Sequence, residues 1–235
     1  MIEPKKSPAF QRILSGYLTF QLKKHFHRIW LDDDRQRKGQ GLMLVNHSSW
    51  WDGLLVFYLN RHVVKGDSYA MMSRKGMEEY GFFRKIGAFS VDRDSSREVV
   101  ASLRYAEERL KEDKTVWIFP QGDEEHVEKR PLTFFNGPGY LIGKVPEVSV
   151  VLVIFYYTFR HHQRPELFIR LKDAPPLHGG RKERTDHLRT LMETQLDRMK
   201  SEVVEEDLSS FTPWVGGFSS SSEKLQFLKG KDRMN

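Results

Sequence analysis

The residues that most clearly suggest chemistry lie between 46 and 52, where the sequence reads Asn-His-Ser-Ser-Trp-Trp-Asp. Side chains five apart on one regular helix would point about 140° away from each other, so we expect His47 before a helix and Asp52 in its first turn. From there Asp52 can bond one ring nitrogen of His47 and fix its tautomer. The other nitrogen is then available to take a proton from a hydroxyl. The pair predicts general-base chemistry in which the substrate supplies the nucleophile.

Other interpretations of this segment remain open. A histidine at this spacing often arises by chance and plays a structural part. Ser48 or Ser49 is a candidate nucleophile, although the sequence has no Gly-x-Ser-x-Gly turn around either. A catalytic metal is disfavoured because there is no His-Glu-x-x-His pattern, and the chain contains no cysteine. The absence of cysteine also excludes a disulfide scaffold and a thiol nucleophile.

Two further motifs are predicted to follow buried strands. Arg93 ends the segment 87–93, where it can hold a phosphate or carboxylate or simply pair with Asp92 or Asp94. The segment 119–122 reads Phe-Pro-Gln-Gly and ends the next predicted strand at Pro120. Ligands of open α/β sheets gather at the carboxyl ends of parallel strands. Three motifs at three such ends therefore predict one site.

Strands and helices are predicted to alternate along the body of the chain, which favours an α/β fold with a mostly parallel sheet flanked by helices. The predicted strands are 42–45, 69–72, 89–91, 115–119, 148–157 and an edge strand at 167–171. The predicted helices are 52–59, a segment ending near Gly81, 95–111 with Ser95 or Ser96 as its cap, 137–143 and 185–204.

The first thirty residues carry most of the net charge of the protein. Their apolar positions from Phe10 to Trp30 follow helical spacing, and six basic residues against one acid give them a net charge of +5, out of +6 for the whole chain. The segment is either an ordinary surface helix or a helix lying in a membrane interface with anionic headgroups. The run Asp32 to Asp34 is expected to begin a solvated turn. The basic residues are Lys5, Lys6, Arg12, Lys23, Lys24 and Arg28.

Length and composition restrict the remaining classes. The chain has 235 residues, of which 39% are hydrophobic, so it can bury the core of one domain. It has no apolar run of the ~20 residues that a membrane-spanning helix needs, and no recognisable signal peptide. The remainder after residue 30 is almost neutral, which disfavours nucleic acid as a partner. We predict a membrane-facing helix over 1–34, an α/β domain over 35–210 and a flexible tail over 211–235, with a short helix near 225–228.

Taken in order, the motifs resemble those of the glycerolipid acyltransferase superfamily. The matching features are Asn-His-x-Ser-x-x-Asp at 46–52, the glycine-containing strand that ends at Arg93, Phe-Pro-x-Gly at 119–122, the segment 134–141, and an apolar strand after Pro146. Among the best-known members are the 1-acylglycerol-3-phosphate, or lysophosphatidate, acyltransferases. The resemblance covers about residues 40 to 160.

The resemblance implies acyl transfer from a coenzyme A or acyl-carrier-protein thioester to a lipid hydroxyl, without a cofactor or a metal. It implies that His47 is the general base and that Asp52 orients it. It also implies a peripheral protein on an anionic membrane, which we place at the cytoplasmic face of a bacterial cell. The predicted substrate-binding residues are Asn46, Ser49, Arg93, Pro120, Gln121, Gly122, Lys129 and Arg130.

The third motif departs from the pattern Phe-Pro-Glu-Gly-Thr-Arg that the family usually shows. Gln121 replaces the Glu, and three acids, Asp123, Glu124 and Glu125, follow where a hydroxyl and an Arg are usual. Acids at that place repel a phosphate, so Lys129 and Arg130 are candidates for the missing positive charge. Lysophosphatidate is the default acceptor. The alternatives are a non-phosphate lipid such as a glycolipid or a glycosylated isoprenoid, an inactive lipid-binding protein, and a thioester hydrolase.

Overall fold

The computed structural model describes residues 1–36 and 39–219. Its helices are α1 (Pro8–His25), α2 (Asp52–Leu59), α3 (Arg74–Glu79), α4 (Ser96–Lys111), α5 (Gly137–Lys144) and α6 (Arg181–Val204). Its strands are β1 (Arg28–Asp34), β2 (Leu42–Val45), β3 (Ser68–Ser73), β4 (Ala88–Val91), β5 (Thr115–Ile118), β6 (Val150–Thr158), β7 (Glu166–Asp173) and β8 (Thr212–Gly216). A π-helical turn extends α2 over Asn60–Val64, and a 3-10 helix follows α3 over Gly81–Ile86.

Within these described residues, one eight-stranded sheet has the order β4-β3-β5-β2-β6-β7-β1-β8. The five strands from β4 to β6 in this order are mutually parallel. The strand β7 runs antiparallel to β6, β1 is parallel to β7, and β8 is antiparallel to β1. The predicted α/β fold with a mostly parallel sheet is confirmed. The carboxyl ends of β2, β4 and β5 consequently meet at one edge of the sheet.

Helices cover both faces of the sheet and bury two apolar layers. One layer joins α1 and α2 to the sheet through residues such as Leu18, Leu22 and Leu55. The other joins α4, α5 and α6 through residues such as Leu141 and Leu188. The strands β2 and β5 are buried along their whole length, because each is covered on both faces.

The N-terminal helix exists but ends earlier than its apolar spacing predicts. It ends at His25, and residues 28–34 form β1, so the predicted continuation to Trp30 is wrong. The predicted turn at Asp32 is also wrong, because Asp32 and Asp34 lie on β1. There they pair with basic partners on β7, at 2.7 Å from Arg170 Nε and 2.5 Å from Lys172 Nζ. Pairing with β7 and burial of Ile29 outweigh the local helical pattern.

Two other expectations are corrected by the sheet. The segment 167–171 is not an edge strand, since β7 lies between β6 and β1. The tail is not flexible from residue 211, because β8 pairs with β1, and both Phe211 and Val215 are buried. These pairings join segments distant in sequence, and local composition does not reveal them. The helix predicted near 225–228 lies outside the described residues.

Candidate active site

The fold brings the three predicted motifs to the same edge of the sheet. His47 follows β2, Arg93 follows β4, and Pro120 and Gly122 follow β5, and all four line one cavity of about 720 Å³. The volume lies within the range typical of sites for small ligands. Most of the other lining side chains are apolar, for example Leu54, Phe57, Phe83, Ile86, Trp117 and Phe119. An apolar chain bound there would reach His47.

The predicted pairing of His47 with Asp52 is present. Nδ1 of His47 lies 2.9 Å from Oδ2 of Asp52, which is the first residue of α2. A carboxylate can only accept this hydrogen bond, so Nδ1 carries the proton in the neutral ring and Nε2 keeps its lone pair. The ring stacks on Phe119 with 4.3 Å between centroids. It is therefore held in the orientation and tautomer that a general base needs.

Asp52 is 0% exposed, and four donors converge on its carboxylate. Besides the His47 ring, Oδ2 accepts the backbone N–H groups of Ser48 at 2.7 Å and Ser49 at 2.9 Å. Oδ1 accepts a short hydrogen bond from the hydroxyl of Tyr157 on β6. A buried charge is tolerable when hydrogen bonds replace water in this way. The loop 46–52 is consequently closed onto the start of α2.

Tyr157 is a member of this hydrogen-bond network that the sequence did not predict. It lies near the end of β6, 105 positions from Asp52, inside an apolar run that reads only as a buried strand. Burial, the charge of Asp52 and the hydrogen bond between them raise the pKa of Tyr157 well above its ordinary value. The hydroxyl therefore stays protonated and donates to Asp52. The only signal in the sequence is a hydroxyl-bearing side chain at the end of that run.

Gln121 holds the main chain of His47 rather than lining the cavity. Its Oε1 atom accepts the His47 N–H at 2.7 Å, and its side chain is 3% exposed. The His47 carbonyl in turn accepts the backbone N–H of Glu125 at 2.9 Å. In this structure the neutral amide of Gln121 joins the loop after β5 to the loop after β2, and a contact with a head group stays a prediction.

Glu125 completes this connection between the two loops. Its carboxylate accepts hydrogen bonds from Gln121 Nε2 at 3.0 Å and from Thr133 Oγ1 at 2.7 Å, and it pairs with Lys129. Burial opposes the charge, but these donors outweigh it and lower the pKa of Glu125 from 4.5 to about 2. Lys129 is thus bound to Glu125 and is not part of the cavity lining.

Arg93 lines the cavity but is already paired. Its Nη1 and Nη2 atoms donate to Oδ2 and Oδ1 of Asp123 at 2.7 and 2.6 Å. Hydrogen bonding to Asp123 raises the pKa of Arg93, and the same contact lowers the pKa of Asp123. The sequence alone offers Asp92 and Asp94 as partners, whereas in the structure the partner is Asp123, which follows β5.

The remaining predicted substrate-binding residues are not among those that line the cavity. The buried amide of Asn46 bridges β2 to β6, since it accepts the Phe155 N–H at 2.8 Å and donates to the Phe155 carbonyl at 2.9 Å. Ser49 lies in the turn before α2 and donates its backbone N–H to Asp52. Arg130 pairs with Asp197 on α6 at 2.6 Å. The expectation that Lys129 and Arg130 supply positive charge to the site is not supported by their positions.

The geometry defines a class of protein: an α/β fold in which a histidine paired with a buried aspartate lies beside an apolar cavity. The described residues contain no helix long and apolar enough to cross a membrane. A model of the family described as Acyltransferase matches residues 27–155, more than half of the chain. The protein therefore belongs to the Acyltransferase family.

The fold is similar to that of a solved structure, the 1-acyl-sn-glycerophosphate (LPA) acyltransferase PlsC from Thermotoga maritima. The two share 15% identity with a TM-score of 0.55, over 82% of this chain and 79% of that one. At this identity the similarity concerns the fold. No curated protein sequence matches this chain.

Proposed function

We propose that this protein transfers a fatty acyl group from an acyl thioester to the hydroxyl of a lipid, with His47 as the general base. The observation that carries the proposal is the oriented pair of His47 and Asp52 beside an apolar cavity. Membership of the Acyltransferase family supports the reaction class. The base faces a space suited to an acyl chain, so acyl transfer explains both the polar and the apolar part of the site.

The proposed reaction needs one proton to move through His47. Nε2 of His47 accepts the hydroxyl proton as the acceptor oxygen attacks the thioester carbonyl. Backbone N–H groups near the strand ends stabilise the oxyanion that develops. The carbon–oxygen bond forms, the carbon–sulfur bond breaks, and the proton on His47 passes to the departing thiolate. Asp52 stays ionised and stabilises the imidazolium between these two transfers.

The donor is acyl-CoA or acyl-carrier protein, and the acceptor has two candidates. Lysophosphatidate is the default, because the structurally similar protein from Thermotoga maritima is named for it. A lipid without a phosphate is the second candidate. The ion pair between Arg93 and Asp123 favours the second, because Arg93, which lines the cavity, is already engaged by a carboxylate.

The N-terminal helix supports peripheral binding to the cytoplasmic face of an anionic membrane. While Leu14, Leu18 and Leu22 of α1 are buried, Ile13, Tyr17 and Phe20 are exposed by 72%, 56% and 54%. These three lie at helical spacing along one side of α1, near basic residues at both of its ends. Exposed apolar side chains with flanking Lys and Arg are typical of helices that lie in a membrane interface.

The first experiment measures thiol release from labelled acyl-CoA with and without lipid acceptors. Release that depends on an acceptor, with labelled ester as product, is the expected result. Release without an acceptor would identify a hydrolase. Binding of lipid without any release, from a panel that includes acyl-carrier-protein donors, would identify an inactive lipid-binding protein and contradict the proposal.

Membrane association is tested separately by flotation with vesicles containing phosphatidylglycerol. The double substitution Ile13→Ser and Phe20→Ser is expected to reduce the bound fraction about tenfold or more, because it removes two apolar side chains from the interface. Val204→Ser is the matched control, since Val204 is 70% exposed at the end of α6. Equal flotation of all three proteins would contradict the proposed orientation.

A further inference from the structure

The structure assigns a role to the ion pair between Arg93 and Asp123. We propose that Asp123 excludes phosphate from the acceptor site, so that the natural acceptor is a lipid with an uncharged, hydroxyl-bearing head group. This inference rests on the proposed acyl transfer and names the acceptor class of the same site. Asp123 is then a residue that determines specificity, since it acts on Arg93 rather than on the reacting atoms.

The carboxylate of Asp123 is bound to Arg93 in the way that arginine binds an oxyanion. Both terminal nitrogens of Arg93 are engaged by the two oxygens of Asp123, at 2.7 and 2.6 Å. A phosphate uses the same two parallel hydrogen bonds when arginine binds it. Asp123 therefore occupies the positions on Arg93 that a phosphate would need. A phosphorylated acceptor would have to displace a carboxylate that is already aligned.

The turn after β5 is built to hold this pair. Gly122 has a φ of +78°, and a Cβ atom on it would lie 2.6 Å from Arg93 Nη1 and 2.6 Å from Phe135 Cε2. The guanidinium carbon of Arg93 also lies 5.3 Å from the centre of the Phe135 ring. Glycine at this position thus lets the arginine fit between the turn, the aromatic ring and Asp123.

The charges around the cavity give a second argument. Besides His47, the charged lining residues that the structure describes are two arginines and two acids, namely Arg93, Arg181, Asp123 and Glu124. The lining has no excess of positive charge. Arg93 lowers the pKa of Asp123, so its carboxylate remains ionised at neutral pH and repels a phosphate.

The same arrangement suits hydroxyl groups. The carboxylate of Asp123 keeps acceptor positions for O–H donors, and its side chain is 69% exposed at the cavity. An exposed ion pair of this kind contributes little to folding, so its main consequence is for what binds beside it. A sugar or polyol head group can bond to such a pair without displacing either partner.

The test compares a phosphate acceptor with the same lipid lacking the phosphate and with a sugar lipid. Thiol release from oleoyl-CoA is measured with 1-oleoylglycerol 3-phosphate, with 1-oleoylglycerol and with an alkyl glucoside. The wild-type protein is expected to have a higher kcat/KM for the two uncharged acceptors. Asp123→Ala is expected to raise the ratio of kcat/KM for the phosphate acceptor to kcat/KM for the uncharged acceptors about ten- to a hundredfold. A charged hydrogen bond from the newly exposed arginine to the phosphate has an effect of this size.

Two variants determine whether the shift depends on the ion pair. The double substitution Arg93→Ala and Asp123→Ala should remove the gain, because the arginine that Asp123 had engaged is then absent. Glu124→Gln removes an equal charge from the adjacent residue without altering Arg93, and should shift the ratio much less. A preference of the wild-type protein for the phosphate acceptor that Asp123→Ala leaves unchanged or weakens would overturn the inference.

A binding measurement separates this inference from the proposed reaction. Calorimetry with glycerol 3-phosphate should detect binding to Asp123→Ala and at least tenfold weaker binding to the wild-type protein, as expected when like charge is removed. If no acceptor supports turnover but this difference is found, acyl transfer fails while exclusion of phosphate stands. Equal binding by both proteins overturns the exclusion even if acyl transfer is demonstrated.

Discussion

Two aspartates of the same site, Asp52 and Asp123, each hold a basic side chain, but in opposite surroundings. Asp52 is 0% exposed and accepts four hydrogen bonds around His47. The side chain of Asp123 is 69% exposed and pairs with Arg93. The buried pair is fixed by its neighbours and suits a step common to every acceptor. The exposed pair can be altered without disturbing the fold, and it suits the choice among acceptors.

His47→Ala tests the buried pair most directly. Loss of the base is expected to lower kcat about 10³- to 10⁴-fold while leaving vesicle binding intact. Thiol release and flotation are measured on the same preparation. His178→Ala, an exposed histidine before α6, is the control and should retain full activity. Undiminished turnover by folded His47→Ala would contradict the assignment of His47 as the base.

The substitution Asp52→Asn tests whether the carboxylate acts through His47. We expect kcat to fall about 10²- to 10³-fold, because the amide no longer enforces the tautomer or stabilises the imidazolium. The double substitution with His47→Ala should be no slower than His47→Ala alone, since residues that act as one unit are not additive. Independent, multiplicative losses would show that Asp52 has a separate role.

Tyr157→Phe tests the outermost member of the buried network. The change removes the O–H donor to Asp52 Oδ1 and should lower kcat about tenfold at unchanged KM, the effect of one hydrogen bond. Tyr156→Phe is the matched control, because the neighbouring hydroxyl lies 3.1 Å from Glu128 instead. A rise in KM for Tyr157→Phe with constant kcat would indicate a contact with substrate rather than a positioning role.

Glu125 lies in the loop after β5 and should affect stability more than chemistry. Its folded-state pKa of about 2 lies below the ordinary value of 4.5. The stabilisation is therefore complete above about pH 5 and is lost as the pH falls toward 2. Glu125→Gln should lower the free energy of unfolding by about 1–2 kcal/mol at pH 7 and flatten its decrease in acid. Urea unfolding at pH 7, 4 and 3 provides the measurement.

The adjacent Glu124→Gln is the control for this stability effect. Its carboxylate is exposed, so the substitution should leave the acid dependence of unfolding close to that of the wild-type protein. Parallel curves for Glu125→Gln and the wild-type protein would contradict the stabilising role of the Glu125 hydrogen bonds.

Much of the α/β body could be predicted from sequence because its signals are local. Buried strands appear as short apolar runs, and α4 begins after Ser95, whose side chain accepts the Glu98 N–H as a cap should. The end of α1 could not be predicted in this way. Helical spacing continues to Trp30, but residues 28–34 gain a complete hydrogen-bond ladder with β7. Pairing with a distant strand therefore outweighed the local helical spacing in residues 28–34.

The sequence by itself determined the pairing of His47 with Asp52, because a five-residue interval across the start of a helix leaves few geometries. Only the tertiary structure decided which residues contact that pair and which residue pairs with Arg93. Arg93 meets Asp123 across 30 positions, Gln121 meets His47 across 74, and Tyr157 meets Asp52 across 105. Such contacts depend on strand order and on how loops pack at one edge of a sheet, and neither is encoded in the spacing of neighbouring residues.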